Sequence, residues 1–170
     1  MNIKNIMKYI LLLTFSGYIY VCLELLFRGR SDLTMMFAAS VCVIPMILLN
    51  NYFTYEIDFL LQLILCTLFA TLVEFIFGML FNPLYTIWDY RNMPLNLYGQ
   101  ICLPFSFLWM GIAACVIPLM DWIDCYIFSY KPETKPYYKI CGKVIWRMKW
   151  TSSKFYRRED MNVYNFNGCK

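Results

Sequence analysis

Apolar residues in this chain neither alternate with polar ones nor recur on one helical face. They come in long runs separated by short polar interruptions. Four runs stand out, near Tyr9–Phe27, Leu33–Phe53, Ile57–Phe81 and Ile101–Ile123. Each is close to the roughly 20 residues that an α-helix needs to cross the hydrocarbon core of a bilayer. Helix is the structure such runs dictate. Backbone in lipid must satisfy its own hydrogen bonds, and the alternation of barrel strands is absent. The first run follows Lys4 and Lys8, as a secretory signal would. It continues through Val21 to Phe27 without a small-x-small cleavage site, so it reads as a retained span. The expected fold is all-α: a polytopic membrane protein with a helical domain over 1–128 and a basic cytoplasmic tail over 129–170.

Composition strengthens this picture. Of 170 residues, 61% are hydrophobic and 15% charged. A soluble domain has roughly 45–50% apolar and about 25% charged residues, so the excess must be covered by lipid. Lys and Arg then set the orientation. Twelve lie in the amino terminus or beyond the fourth span, against Arg28, Arg30 and Arg91 in the first and third connections. The positive-inside rule places both termini in the cytoplasm of a multi-pass cell-membrane (bacterial inner-membrane) protein. There are eight cysteines and no histidine. With no CxxC pair, the cysteines read as small packing residues, and no metal site is expected. Without histidine no Ser-His-Asp set or HExxH motif can be built, and neither GxSxG nor GxxxxGK[ST] occurs. The chain is therefore not expected to be an enzyme. It should have no catalytic residues, no cofactor, no ATPase of its own and no nucleic-acid partner.

A few polar residues interrupt the spans. Glu74 lies about two turns inside the third run, where an ionised side chain is costly unless paired, protonated or facing a polar cavity. It is either a substrate, ion or proton site or a structural lock. Glu24 and Arg28 stand in the favourable i,i+4 order and suit a helix-end ion pair. Between the third and fourth spans, Pro83 and Pro94 prevent a continuous helix. Asn82, Asn92 and Asn96 suit turns, Trp88 and Tyr90 suit the membrane interface, and Asp89 and Arg91 add charge. Residues 83–100 are expected to fold back over the outer mouth of the bundle. Glu24, Arg28, Glu74 and Asp89 could then meet in one polar cluster, with Arg28 and Arg91 as counter-ions. A faint repeat pairs Glu24 with Glu74, and Cys42-Val43-Ile44-Pro45 with Cys115-Val116-Ile117-Pro118. Matches this short can also be coincidence in so biased a composition. In the tail, Lys139, Lys143 and Arg147 recur every four residues, and Lys149 follows. A basic amphipathic helix lying on anionic lipid is expected there.

Several of these residues together resemble a known family. Trp88-Asp89-Tyr90, Pro94, Asn96, the run Gly99-Gln100-Ile101-Cys102-Leu103-Pro104-Phe105-Ser106 and Trp109 are similar to the signature of the bacterial "putative ABC-transporter type IV" permease family. Glu74-Phe75 with Gly78 and Asn82, and Glu24 followed by Arg28-Gly29, Ser31, Thr34 and Met35, resemble its other motifs. The resemblance covers roughly residues 18 to 140. It implies the membrane half of an ATP-driven transporter, working with a separate ATP-binding subunit. A homo-oligomer is expected on other grounds, since four helices rarely enclose a path alone. The family commonly carries histidines in the first loop, where this chain has Arg30 and Asp32. The alternatives are a membrane sensor or assembly partner acting through its basic tail, and a lipid-modifying enzyme.

Overall fold

A computed structural model describes residues 3–53, 55–127 and 136–148 of the chain. Its four long helices are α1 (Ile3–Arg28), α2 (Leu33–Phe53), α3 (Phe59–Phe81) and α4 (Leu103–Tyr126). All four are long and apolar enough to cross a membrane. The chain is thus a multi-pass membrane protein of the expected fold class. The helices start and stop where backbone chemistry requires. Gly29, at φ 68°, ends α1, and its N–H bonds the Leu25 carbonyl. The Asp32 carboxylate accepts from Thr34 N, and Asp58 accepts from Leu60 N at the head of α3. Pro104 sits in the first turn of α4, where its missing N–H costs nothing.

Helix α2 packs against the other three. Met46, Cys66, Ala113 and Ile117 form the centre of its core with α3 and α4, all fully buried. The outer faces carry large apolar side chains such as Leu26, Phe27, Leu68 and Phe107, which only lipid can cover favourably. Pro45 and Pro118 lie inside α2 and α4, the return helix of each hairpin. One end of the bundle carries the short α1–α2 connection and the long segment 82–102, with a two-residue strand pair, β1 (Asn96–Leu97) and β2 (Ile101–Cys102). We term it the loop end.

At the opposite end the tail differs from expectation. Residues 137–147 form an antiparallel β-hairpin, β3 (Tyr137–Ile140) and β4 (Lys143–Arg147), instead of a helix. Cys141 and Gly142 make its two-residue turn, with φ of 50° and 77°. The four-residue spacing of Lys139, Lys143 and Arg147 is compatible with a helix. The aromatic and β-branched residues around a left-handed Cys-Gly turn favour strands more strongly. Tyr138 anchors the hairpin, packing edge-on to Phe59 at 5.1 Å between ring centroids. Lys149 and the remainder of the tail lie outside the described residues.

Candidate functional site

The connection over the loop end is held by an Asn–Gln clasp. Asn82 caps α3 and is fully buried. Its amide nitrogen donates to the Trp88 carbonyl at 2.6 Å and to Gln100 Oε1 at 3.2 Å, and its oxygen accepts from Ile87 N at 2.9 Å. Gln100 returns a bond to the Asn82 carbonyl at 2.9 Å, and its own carbonyl accepts the Trp88 indole N–H at 2.8 Å. The two ends of an irregular segment are thus joined with its buried polar groups paired, as burial in a membrane protein demands. Only glycine fits at position 78, because a Cβ there would lie 2.6 Å from Gln100 Oε1. Asn96 sets the far turn, donating to the carbonyls of Arg91 and Met93 and accepting from Gly99 N. Pro94 precedes it. Tyr85, Leu95 and Tyr98 hold positive φ between 51° and 56°. Such geometry costs about 1–2 kcal/mol per residue and persists only where the surroundings enforce it.

Beneath this cover lies Glu74, 4% exposed. One carboxylate oxygen accepts the Tyr90 hydroxyl at 3.0 Å, the other the Trp109 indole N–H at 3.1 Å. Tyr90 stacks on Phe105, and Trp109 stacks on Tyr20. Burial, then the neighbouring Glu74, push the Tyr90 hydroxyl well above its usual range, which keeps it a donor at neutral pH. Both donors are neutral, and among the described residues no Lys or Arg pairs with Glu74. A carboxylate so placed can take up a proton or a cation without first breaking an ion pair.

Glu24 and Arg28 form a second group at the same end. They pair at 2.7 Å, Ser31 donates to the other Glu24 oxygen at 2.7 Å, and Arg28 also bonds the Ile87 carbonyl at 2.8 Å. Arg28 thereby ties the first connection to the long one. Between them opens a pocket of about 250 Å³, lined by Glu24, Arg28, Arg30, Ser31 and Asp32 on one side and residues 86–87 on the other. The single four-residue cluster expected from the sequence does not form. Asp89 turns outward and pairs with Arg91 at 2.6 Å, and Arg91 lies over the Tyr85 ring at 4.3 Å. A partner two residues away outcompetes one across the bundle. The Arg91 hydrogen bonds hold the Asp89 carboxyl down to about 2.

Sequence reasoning missed a further polar group at the hairpin end. Lys8 pairs with Asp124 at 2.7 Å, and Asn51 bonds the same carboxylate at 3.1 Å. Asn50 donates to Asp121 at 2.7 Å, and the Tyr138 hydroxyl donates to that oxygen too. Asp121 and Asp124 are each 3% exposed. The signal was available: Asp121 falls within the fourth apolar run, where an acid demands a partner.

No curated protein and no solved structure matches the chain. A family match spans residues 9–148, reaching beyond the 18–140 stretch of the resemblance and taking in the hairpin, the clasp and the Glu74 centre. The chain belongs to the family described as "Putative ABC-transporter type IV".

Proposed function

We propose that this protein is a non-enzymatic transport component of the cell membrane, with its recognition site at the loop end. The observation that carries the reading is Glu74, a buried carboxylate held, among the described residues, by the neutral donors Tyr90 and Trp109 beneath a strained cover. Proteins retain an acid at such depth for binding or coupling more readily than for packing. Glu24 and Arg28 shape the entrance, and Asp89 with Arg91 forms its outer rim. Counting of Lys and Arg puts the loop end outside and both termini in the cytoplasm. Four helices rarely enclose a path alone, so the working unit is an oligomer.

The hairpin is the cytoplasmic element. Lys143 and Arg147 bracket the exposed Val144, Ile145 and Trp146 of β4. A basic and aromatic strand suits the anionic headgroup layer, together with Lys139 and, beyond the described residues, Lys149. The α2–α3 connection is short, so a separate ATP-binding subunit would meet the bundle beside this hairpin. The same exposed strand also favours a second reading, an assembly partner acting through its tail.

The test is affinity purification of the tagged full-length chain from native membranes in mild detergent, with quantitative mass spectrometry of what accompanies it. A stoichiometric ATP-binding subunit is expected. Self-association alone would overturn ATP-driven transport, and a different stoichiometric protein would favour the assembly reading.

A further inference from the structure

The charged groups of the loop-end pocket divide into two kinds. Glu24 and Arg28 are used up by the fold. Both Glu24 oxygens are bonded, and Arg28 is spent on Glu24 and the Ile87 carbonyl. Arg30 and Asp32 have no ion pair among the described residues. Arg30 lines the pocket and has no ion pair or hydrogen bond with any described residue. Asp32 caps α2, its carboxylate accepting from the Thr34 side chain and from Thr34 N, and it has no cationic partner among the described residues. The Thr34 side-chain bond, then the backbone bond, hold its carboxyl below the usual range. A guanidinium and a carboxylate that lack an opposite charge among the described residues, two positions apart, thus line one pocket without pairing with each other.

The four charges on the wall cancel: Glu24 and Asp32 against Arg28 and Arg30. A purely anionic ligand gains little from a neutral wall. A ligand bearing both signs answers both unpaired charges at once. Guanidinium matches a phosphate with two parallel hydrogen bonds, and a carboxylate matches an ammonium. Leu26, Phe27, Leu33 and Leu84, close in sequence to the lining residues, are 70–86% exposed, which suits the depth where acyl chains meet headgroups.

We infer that the loop-end pocket binds a phosphate ester that also carries an ammonium group, with Arg30 holding the phosphate and Asp32 the ammonium. Such a ligand comes from two sources: a zwitterionic phospholipid or a soluble phosphoethanolamine ester. The inference rests on the reading of the loop end as a recognition site. Its test does not use transport or any partner subunit, so the two can fail separately.

The experiment uses purified full-length protein in detergent. Native mass spectrometry measures retention of phosphatidylethanolamine against phosphatidylglycerol, and calorimetry measures binding of glycerophosphoethanolamine. Wild type should retain phosphatidylethanolamine selectively. Arg30→Gln should weaken that binding at least about tenfold, the least expected for losing a charge-assisted pair, and Arg30→Lys should weaken it less. Asp32→Asn keeps the helix cap, because asparagine caps as well as aspartate. It should shift the preference toward phosphatidylglycerol. Lipid retention without binding of the soluble ester assigns the site to the bilayer. Binding of the soluble ester alone assigns it to a solute, and either result supports the inference. Equal retention of both lipids, or no effect of Arg30→Gln in a protein that still elutes as one species, overturns it.

Discussion

Replacing Glu74 by two residues of similar size separates its packing role from its charge. Glutamine can keep both bonds of the site. Its carbonyl oxygen accepts the Trp109 N–H, and its amide donates to the Tyr90 hydroxyl, which rotates to accept. The present lengths of 3.0 and 3.1 Å allow this without backbone movement. Glu74→Gln should therefore stay within about 1 kcal/mol of wild-type stability. Glu74→Leu strands both donors, and Tyr90 and Trp109 are 9% and 7% exposed, too buried for water to replace the carboxylate. An unmade bond at a buried group costs about 1–3 kcal/mol, so two place the loss at roughly 2–6 kcal/mol. Reversible unfolding in mixed micelles, followed by tryptophan fluorescence, measures both. If Glu74→Leu were as stable as wild type, Tyr90 and Trp109 would not be donating to Glu74 and the site as described would be wrong.

Three further outcomes are expected. Tyr138→Phe removes the hydroxyl that reaches Asp121 and should weaken hairpin docking by about 1.5–3 kcal/mol, read as faster amide exchange in β3 and β4 with the helices unchanged. Lys8→Met leaves Asp124 buried with Asn51 as its one remaining partner among the described residues and should destabilise the bundle by about 3 kcal/mol in the same micelle assay, and adding Asp124→Leu should recover part of the loss. The Asp89–Arg91 pair should persist in acid. A carboxyl lowered from 3.8 to about 2 adds stability above its unfolded value and loses it as pH falls toward 2. Carboxyl NMR of labelled Asp89 should therefore show no titration between pH 7 and about 4, and a midpoint near 4 would contradict the pair.

The four spans were legible because lipid imposes one rule on every residue of a run. The helix starts shifted by two residues at α3 and α4: the Asp58 carboxylate caps α3, and the extended backbone of Cys102 in β2 delays α4. The cover over the loop end was legible from its prolines, asparagines and aromatics. The depth of Glu74 marked it as an acid in need of partners. The identity of those partners was not legible, because Tyr90 and Trp109 are 16 and 35 residues away and only packing brings them in. Asp89 misled for the opposite reason: its partner is local, and the tighter loop closure wins. The hairpin was misread because a four-residue charge spacing was weighed above the turn-forming Cys141-Gly142. Asp121 and Asp124 were overlooked as the tail end of a span, although Lys8, counted only for topology, is the partner that makes Asp124 tolerable.

The central claim is that the loop end opens to the outside and the hairpin to the cytoplasm. Membrane-impermeant maleimide tests it on intact cells, with one reactive cysteine at a time. Thr86→Cys lines the pocket, and the native Cys141 is exposed at the hairpin turn. The account predicts that Thr86→Cys is labelled in intact cells and Cys141 only after permeabilisation. Labelling of Cys141 in intact cells, with Thr86→Cys protected, would invert the protein and remove the outward recognition site.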